Sequence, residues 1–261
     1  MSLPLLLPDT TLPTVLPPVT LPALLNHILD SKTPATHTTL LICSSRAQFL
    51  ENILYALQKP HEKHTAEAQR LAQSLTPTLQ TLFTAQNVRL SYCASLQALL
   101  AYLSAYNGGE HTGTGTKRLI LVNPLALHAS TSAYSAQGLS RTFAAAVETA
   151  KRIGARLVIV ECIGLKRERN FDLDEQDTDV VMGDDEMSSQ QSNGEGSHGA
   201  ITSENPWDQE VPILNVSARR FGSGNGDRSW AGRKVKIMNV AARWCYFHPP
   251  EHTAEPAQEE N

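Results

Sequence analysis

Two stretches of the sequence deserve a test as nucleotide phosphate sites, and the first of them is "CSSRAQF". Here a short apolar run, 37–43, leads into an amphipathic stretch, as at the strand–helix junctions of nucleotide-binding domains. A phosphate loop needs glycines at such a junction, because backbone N–H groups converge on the anion only where no Cβ atoms intervene. The chain has no glycine before Gly108. Ser44, Ser45 and Arg46 therefore predict an ordinary helix N-cap rather than an anion site.

The second stretch, "GGEHTGTGTK" (108–117), fails on both sequence and context. It lacks the Gly-Lys-Ser/Thr ending of the usual phosphate-binding pattern, and it precedes a strand instead of following one. That strand, "RLILVN" (118–123), ends in Asn123 before Pro124, where a hydrolysis site would place a carboxylate for Mg²⁺. We therefore predict no bound nucleotide, no cofactor and no enzymatic activity.

The remaining reactive side chains form no recognisable catalytic or metal-binding group. The histidines fall mostly in loops, and His61 and His64, three positions apart, are predicted to be solvent-exposed. No GxSxG motif is present. Glu161 follows a strand, where α/β sites often place a carboxylate, but no partner residue accompanies it. The cysteines lack CxxC spacing, which predicts buried thiols in a reducing compartment, without disulfides or zinc. They stand at positions 43, 93, 162 and 245.

The elements that would position such residues follow from hydrophobic periodicity. The first helix is predicted from the spacing of Leu50, Ile53, Leu54 and Leu57. Buried strands are expected at 37–43, 87–93, 118–123 and 156–162, alternating with helices that begin near Ser45 or lie within 65–85, 95–106 and 131–155. Two further strands, 211–221 and 233–247, would form a C-terminal β-hairpin. This order predicts an α/β fold with a mainly parallel central sheet and helices on both faces.

Composition divides the 261 residues into four parts. Residues 1–36 are rich in Leu and Pro and are expected to form an extended leader along the surface. A single domain, 37–247, is interrupted at about 168–206 by an acidic insertion that is predicted to be disordered. The tail, 248–261, is acidic. No apolar run is long enough to span a membrane, so we expect an intracellular soluble protein.

The closing hairpin concentrates basic residues, although the net charge of the chain is only −4. Basic side chains on one face of a strand could bind a phosphate backbone, and a neighbouring tryptophan could stack on a base. A charged edge strand that resists aggregation is the alternative, and the sequence leaves both open. The candidate nucleic-acid-binding residues are Arg219, Arg220, Arg228, Trp230, Arg233, Lys234, Lys236 and Arg243.

Several segments together resemble the RecA-like recombinase core, in particular its paralogs without ATPase motifs. "RLILVN" stands where that family has its second nucleotide-motif strand, and "TSAYSAQGLSRTFAAAVETAKRIGARLVIVEC" is similar to the helix and strand that follow. "NPWDQEVPILNVSARRF" and "RKVKIMNVAARWCYF" resemble the family's closing hairpin. The resemblance covers roughly residues 37–165 and 205–247. It implies a RecA-like core with a degenerate nucleotide site.

The missing motifs point toward the Shu-type paralogs within this family. The resemblance then implies a non-catalytic, nuclear subunit of a complex that promotes recombinase filament assembly on single-stranded DNA during homologous recombination repair. Its implied partners are a second RecA-like paralog subunit, a SWIM-domain zinc protein, the recombinase and single-stranded DNA, with no membrane. The alternative is an Elongator-type RecA-like scaffold subunit, which would imply tRNA wobble-uridine modification.

Overall fold

The computed structural model describes the chain in six stretches, which are residues 12–30, 36–58, 78–108, 115–166, 205–214 and 233–248. All six belong to one compact unit formed by residues 1–166 and 205–261. Residues 167–204 form a separate unit that lies outside the described residues. Most of the predicted insertion and nearly all of the acidic tail also lie outside them, so the expected disorder of the insertion stays a prediction.

A six-stranded parallel sheet is the centre of the described structure, with the strand order β10-β1-β6-β5-β3-β4. Two short parallel strands, β2 and β7, pair separately, and β8 pairs with β9 in an antiparallel ladder. The strands are β1 Thr14–Val15, β2 Val19–Thr20, β3 His37–Ile42, β4 Val88–Tyr92, β5 Lys117–Val122, β6 Ala155–Val160, β7 Cys162–Ile163, β8 Glu210–Pro212, β9 Lys234–Lys236 and β10 Tyr246–Phe247.

Helices cover both faces of this sheet. They are α1 Leu21–Leu29, α2 Arg46–Gln58, α3 Leu79–Gln86, α4 Leu96–Ala105, α5 Pro124–Ala129, α6 Ala136–Ile153 and α7 Ile237–Ala241, with a 3₁₀ turn at Pro206–Asp208. Side chains at the starts of five described helices accept hydrogen bonds from backbone N–H groups, as N-caps do: Thr20 for α1, Ser45 for α2, Thr78 for α3, Ser95 for α4 and Ser135 for α6. Gly154 ends α6 in the left-handed conformation that favours glycine.

The core has two halves because successive strand residues point to opposite faces. Leu41 and Leu121 lie in one half, where α4 and α6 pack with the buried Phe143 and Trp207. Leu40 lies in the other half, beneath α1 and α2. Strands buried on both faces read as continuous apolar runs, which is why β3, β5 and β6 are evident in the sequence. The predicted α/β class with a mainly parallel sheet and helices on both faces is confirmed.

Two predicted features differ in the structure, and the first is the leader. Thr14 and Val15 are buried in the sheet between β6 and β10, and α1 packs on the core with Leu24 fully enclosed. This part of residues 1–36 therefore belongs to the domain and does not run along its surface. A strand of two residues among prolines is too short to produce a periodic pattern, so it could not be predicted from the sequence.

The second difference concerns the strand predicted over 233–247. Only Lys234–Lys236 pairs with β8, in a ladder of three residues. Residues 237–241 form helix α7, and Tyr246–Phe247 joins the central sheet beside β1. Ile237 and Ala241 are four positions apart and fully buried against the core, so the apolar residues of this segment follow a helical spacing.

Candidate functional site

The carboxyl-terminal edge of the sheet is where an open α/β fold binds ligands, at points where the chain leaves neighbouring strands in opposite directions. Strands β1 and β6 are such neighbours. The chain leaves β1 toward β3 and leaves β6 toward the other side of the sheet, where β10 lies. The residues after β1, β5 and β6 therefore decide whether this edge can hold a ligand.

The β1–α1 connection is the first strand–helix junction, and it differs from the predicted one at "CSSRAQF". It consists of Leu16, two prolines, Val19 and Thr20, again without glycine. The Leu16 side chain is buried and its N–H donates to the Ile159 carbonyl. The prolines have no N–H to offer an anion. This junction is packed into the fold. Like "CSSRAQF", it lacks the glycines that a phosphate-binding loop needs.

Asn123 and Glu161 fasten the ends of β5 and β6 to each other. Asn123 has a left-handed backbone, φ 60°, and its side-chain oxygen accepts a hydrogen bond from the Cys162 N–H at 2.6 Å. The carboxyl group of the buried Glu161 accepts the Leu125 N–H at 2.7 Å at the start of α5. Glu161 therefore has a partner that the sequence did not reveal, and its observed contact is structural.

The Glu161 carboxyl group is fully enclosed, and this burial raises its pKa to about 8, while hydrogen bonds from the Leu125 and Ala126 N–H groups pull the pKa down. Perturbed carboxyl groups in clefts are candidates for acid–base chemistry. Here the carboxyl group faces backbone donors of its own chain, and no other titratable side chain donates to it within the described structure. At the carboxyl ends of β5 and β6, the polar groups of this edge are therefore bonded to other groups of the protein.

Other predicted residues behave as structural groups. Ser45 caps α2, since its hydroxyl accepts the Gln48 N–H at 3.1 Å, which confirms the N-cap prediction. His128, by contrast, is buried in helix α5, where its Nε2 lies 2.9 Å from the Thr142 hydroxyl. Burial lowers the pKa of the His128 imidazole. His61 and His64 lie outside the described residues.

The cysteines are free thiols, as predicted. Cys43, Cys93 and Cys245 are buried, and burial raises the pKa of the Cys245 thiol to about 12. Such thiols are unreactive because the nucleophile is the thiolate. Within the described ranges no group of three His, Cys, Asp or Glu side chains could hold a metal ion.

The basic residues of the closing segment are only partly described. Arg219, Arg220, Arg228 and Trp230 lie outside the described residues. Alternation places Lys234 and Lys236 on the same face of β9, and both are exposed. Arg243 is also exposed, beyond the end of α7. No nucleic acid contact follows from these positions alone.

Acidic side chains that are distant in the sequence lie beside one of these lysines. Glu210 of β8 stands opposite Lys236 in the ladder, and the Lys236 Nζ is 3.9 Å from the Asp208 carboxylate. Opposite charges on paired strands reduce the local positive potential. Lys234, which faces Pro212 instead, is therefore the better candidate for a phosphate contact.

Exposed apolar side chains mark a further surface, which the sequence pattern did not separate from the core. They lie on helices α2 and α3 of the β3–β4 crossover and on β4 itself, and are Leu50, Leu54, Leu79, Leu82, Phe83 and Leu90. We call this set the crossover surface. Leu50 and Leu54 belong to the helical spacing that predicted α2, yet Leu54 is 55% exposed while the polar Asn52 is buried. The side of α2 that packs on the core is therefore not the side that carries Leu50 and Leu54.

The fold is an α/β domain with a parallel sheet, in which hydrogen bonds of Asn123 and Glu161 join the carboxyl ends of β5 and β6. The family model described as SPAC22G7.03-like matches residues 17–178, more than half of the chain. The chain belongs to this family. None of the curated proteins compared with it matches. No helix within the described ranges is long and apolar enough to cross a membrane.

Two solved structures match part of this chain at low sequence identity and low TM-score. One is the ATPase domain of another protein, with 9% identity and a TM-score of 0.35 over 58% of this chain and 57% of that one. The other is a DnaB-like replicative helicase, solved to examine its interactions with primase. It has 7% identity and a TM-score of 0.37 over 58% of this chain and 39% of that one. This chain therefore covers less than two thirds of either structure.

Proposed function

We propose that this protein is a non-catalytic subunit of a Shu-type recombinase-paralog complex, which promotes recombinase filament assembly on single-stranded DNA. The proposal rests mainly on the carboxyl edge of the sheet, where Asn123 and Glu161 make hydrogen bonds within the protein. The β1–α1 junction is glycine-free, and the Glu161 carboxylate occupies the start of α5 where an open crevice would be needed. A domain that has this edge filled by its own side chains acts through its surfaces.

The crossover surface supports a role as a subunit. Phe49 packs edge-to-face on Tyr92 with ring centroids 5.7 Å apart, so α2 lies beside β4 at the edge of the sheet. Leu90 is on the same strand and is 47% exposed. Exposed apolar side chains gathered in one region are typical of protein–protein interfaces.

The orientation of α2 turns its exposed leucines away from Lys166. Glu51 pairs with the Lys166 ammonium, and the Asn52 side chain accepts the Lys166 N–H at 2.9 Å. Lys166 follows β7, which pairs with β2 outside the central sheet. Since residues on a helix are 100° apart, Leu50 and Leu54 lie on the side of α2 that faces away from Lys166. We assign this surface to a second RecA-like paralog subunit.

The other members of the proposed complex are a SWIM-domain zinc protein and the recombinase, and the proposed location is the nucleus. The experiment is affinity purification of the tagged full-length chain from its source cells, followed by mass spectrometry. Recovery of a recombinase paralog together with a SWIM-domain protein supports the proposal. Recovery of Elongator components instead would contradict it and favour a scaffold role in tRNA modification.

A matched pair of variants tests the surface itself. Leu54→Gln should reduce recovery of the paralog subunit, because it places an amide within an apolar interface. Leu12→Gln changes the same residue type at similar exposure, 48% against 55%, outside the crossover surface. It should leave recovery unchanged. Equal recovery with both variants would contradict the assignment of this surface.

A further inference from the structure

The opposite, amino-terminal edge of the sheet has a small pocket that neither the sequence nor the carboxyl edge explains. It lies where β3, β4 and β5 begin, and Arg89, Lys117 and Tyr106 line it. Its volume is about 20 Å³, and it is open to solvent. This is room for about one water-sized group, such as an oxygen atom of a larger anion. A base or a sugar would not fit inside.

The strand register brings the two cations of this pocket to one face of the sheet. Lys117 of β5 is opposite His37 of β3, and Arg89 of β4 is opposite Thr39 of β3. Positions 37 and 39 are two apart, so all four side chains point to the same face. The strands β4 and β5 flank β3 and are about 10 Å apart, so their long side chains can converge on one anion above β3.

Among the described residues, no negative charge lines the pocket to compensate these cations. No aspartate or glutamate is among the described residues that line the pocket. Neither Arg89 nor Lys117 has an ion-pair partner within the described residues. The Lys117 side chain is nevertheless half-buried. Two neighbouring cations without a carboxylate between them create a positive local potential, which favours an anion.

Neutral groups and a rigid wall complete the pocket. The Tyr106 hydroxyl is 2.8 Å from the Thr39 hydroxyl, so the ring is held over the strand. Arg152 donates to the Tyr106 carbonyl at 3.0 Å and fixes the end of α4. Gly108 has φ +79°, and a Cβ there would lie 3.6 Å from the Lys117 Nζ, beside the position of the anion.

We propose that Arg89 and Lys117 form a phosphate-binding site at the amino-terminal edge of the sheet. This site is separate from the closing β8–β9 ladder and does not depend on the proposed complex. Phosphate fits because its oxygens accept several charge-assisted hydrogen bonds at once, and arginine presents a planar fork of donors to it. The phosphate has two possible sources, the backbone of a nucleic acid or free inorganic phosphate.

The test uses the full-length chain and two variants that each remove one cation from the pocket, Arg89→Ala and Lys117→Ala. Arg46→Ala is the control, because Arg46 is an exposed cation at the start of α2, at the other edge of the sheet. Thermal midpoints should show that all three variants fold. Binding is measured with a labelled oligothymidylate, with an abasic deoxyribose-phosphate oligomer and with inorganic phosphate at constant ionic strength.

If the source is a nucleic acid backbone, both oligomers bind alike. Each pocket variant then lowers the slope of log affinity against log salt by about one unit, while Arg46→Ala leaves it unchanged. If the source is free phosphate, one phosphate binds per chain, and both pocket variants abolish that binding without affecting the oligomers. If neither phosphate nor oligomer binding differs between the pocket variants and the wild type, the site does not exist. Oligomer binding that depends only on Lys234 would give that negative result while leaving the proposed function intact.

Discussion

Glu161 shows how a single residue can look catalytic in a sequence and be structural in the fold. It follows a buried strand at the edge where α/β domains bind ligands, and burial raises its pKa to about 8. Its Oε1 accepts the Leu125 N–H at 2.7 Å, so it satisfies a helix start that would otherwise be buried without a partner. Asn123, which accepts the Cys162 N–H, makes a second hydrogen bond between the ends of β5 and β6.

This burial predicts a pH dependence of stability. The pKa of Glu161 is raised in the folded state, so between about pH 4.5 and 8 the folded protein retains a proton that the unfolded chain has released. The free energy of unfolding should therefore fall as pH rises through this range, by at most about 1.4 kcal/mol per pH unit from this group. Urea denaturation at pH 5.5 and pH 8 measures the fall.

Glu161→Gln is the control, because glutamine keeps the volume and the acceptor oxygen but cannot titrate. The variant should lose the part of the pH dependence that Glu161 causes, and its stability at pH 8 should equal or exceed that of the wild type. Parallel curves for the two proteins would show that Glu161 titrates normally in the folded state.

Among the elements, α6 depends on one close backbone approach at its first turn. A Cβ added to Gly138 would lie 2.1 Å from the Ala133 carbonyl oxygen, a contact that only a backbone shift can relieve. Gly138→Ala should thus lower the free energy of unfolding by about 1–3 kcal/mol, in the range of overpacked core sites. Thermal or urea denaturation measures the loss.

Gly154, at the other end of the same helix, provides the comparison. An added Cβ there meets no atom within 4 Å, although the backbone is left-handed at φ +63°. Gly154→Ala should cost about 1 kcal/mol from backbone strain alone. A larger loss at Gly154 than at Gly138 would contradict the account of the α6 start.

The β8–β9 ladder gives an element-scale prediction for nucleic acid binding. Lys236 is opposite Glu210, whereas Lys234 is opposite Pro212. In the assembled complex, Lys234→Ala should lower the salt slope for single-stranded DNA by about one unit, and Lys236→Ala should lower it less. Equal slopes for the wild type and Lys234→Ala would favour the alternative interpretation, in which the basic residues protect a short edge strand from aggregation.

The sequence predicts elements well where burial dictates composition. The strands β3, β5 and β6 are enclosed on both faces and appear as apolar runs, and helices α4 and α6 begin at serine caps near the predicted positions. It fails where contacts are made across the fold. The strand β1 is only two residues long, and its place between β6 and β10 depends on long-range pairing.

For the candidate site, too, the sequence predicts the features that depend on local residue types and misses those that depend on distant contacts. The prediction that a nucleotide site is lost rests on missing glycines and on Asn123, because a phosphate loop and a metal ligand require particular residue types locally. The bond between Glu161 and α5 joins residues 36 positions apart, and the pocket of Arg89 and Lys117 arises from the register of three strands. No local pattern encodes either arrangement.

At the scale of the whole molecule, the described unit combines a carboxyl edge bonded within the protein with exposed surfaces elsewhere. The crossover surface is apolar, and the amino-terminal pocket is basic. This distribution is the basis on which we propose that the domain binds a partner subunit and phosphate groups. The claim that its nucleotide site is lost is central, because every other part of the proposed function assumes a non-catalytic core.

The most direct test of that claim is isothermal titration calorimetry of the purified full-length chain with Mg²⁺-ATP. We predict no binding heat that depends on Mg²⁺, since the β1–α1 junction has no glycine and β5 ends in Asn123 where a carboxylate would hold the metal. Weak heat lost in the Arg89→Ala and Lys117→Ala variants would belong to the amino-terminal pocket. Mg²⁺-dependent binding of ATP with micromolar affinity that survives both variants would contradict the account and restore an enzymatic function.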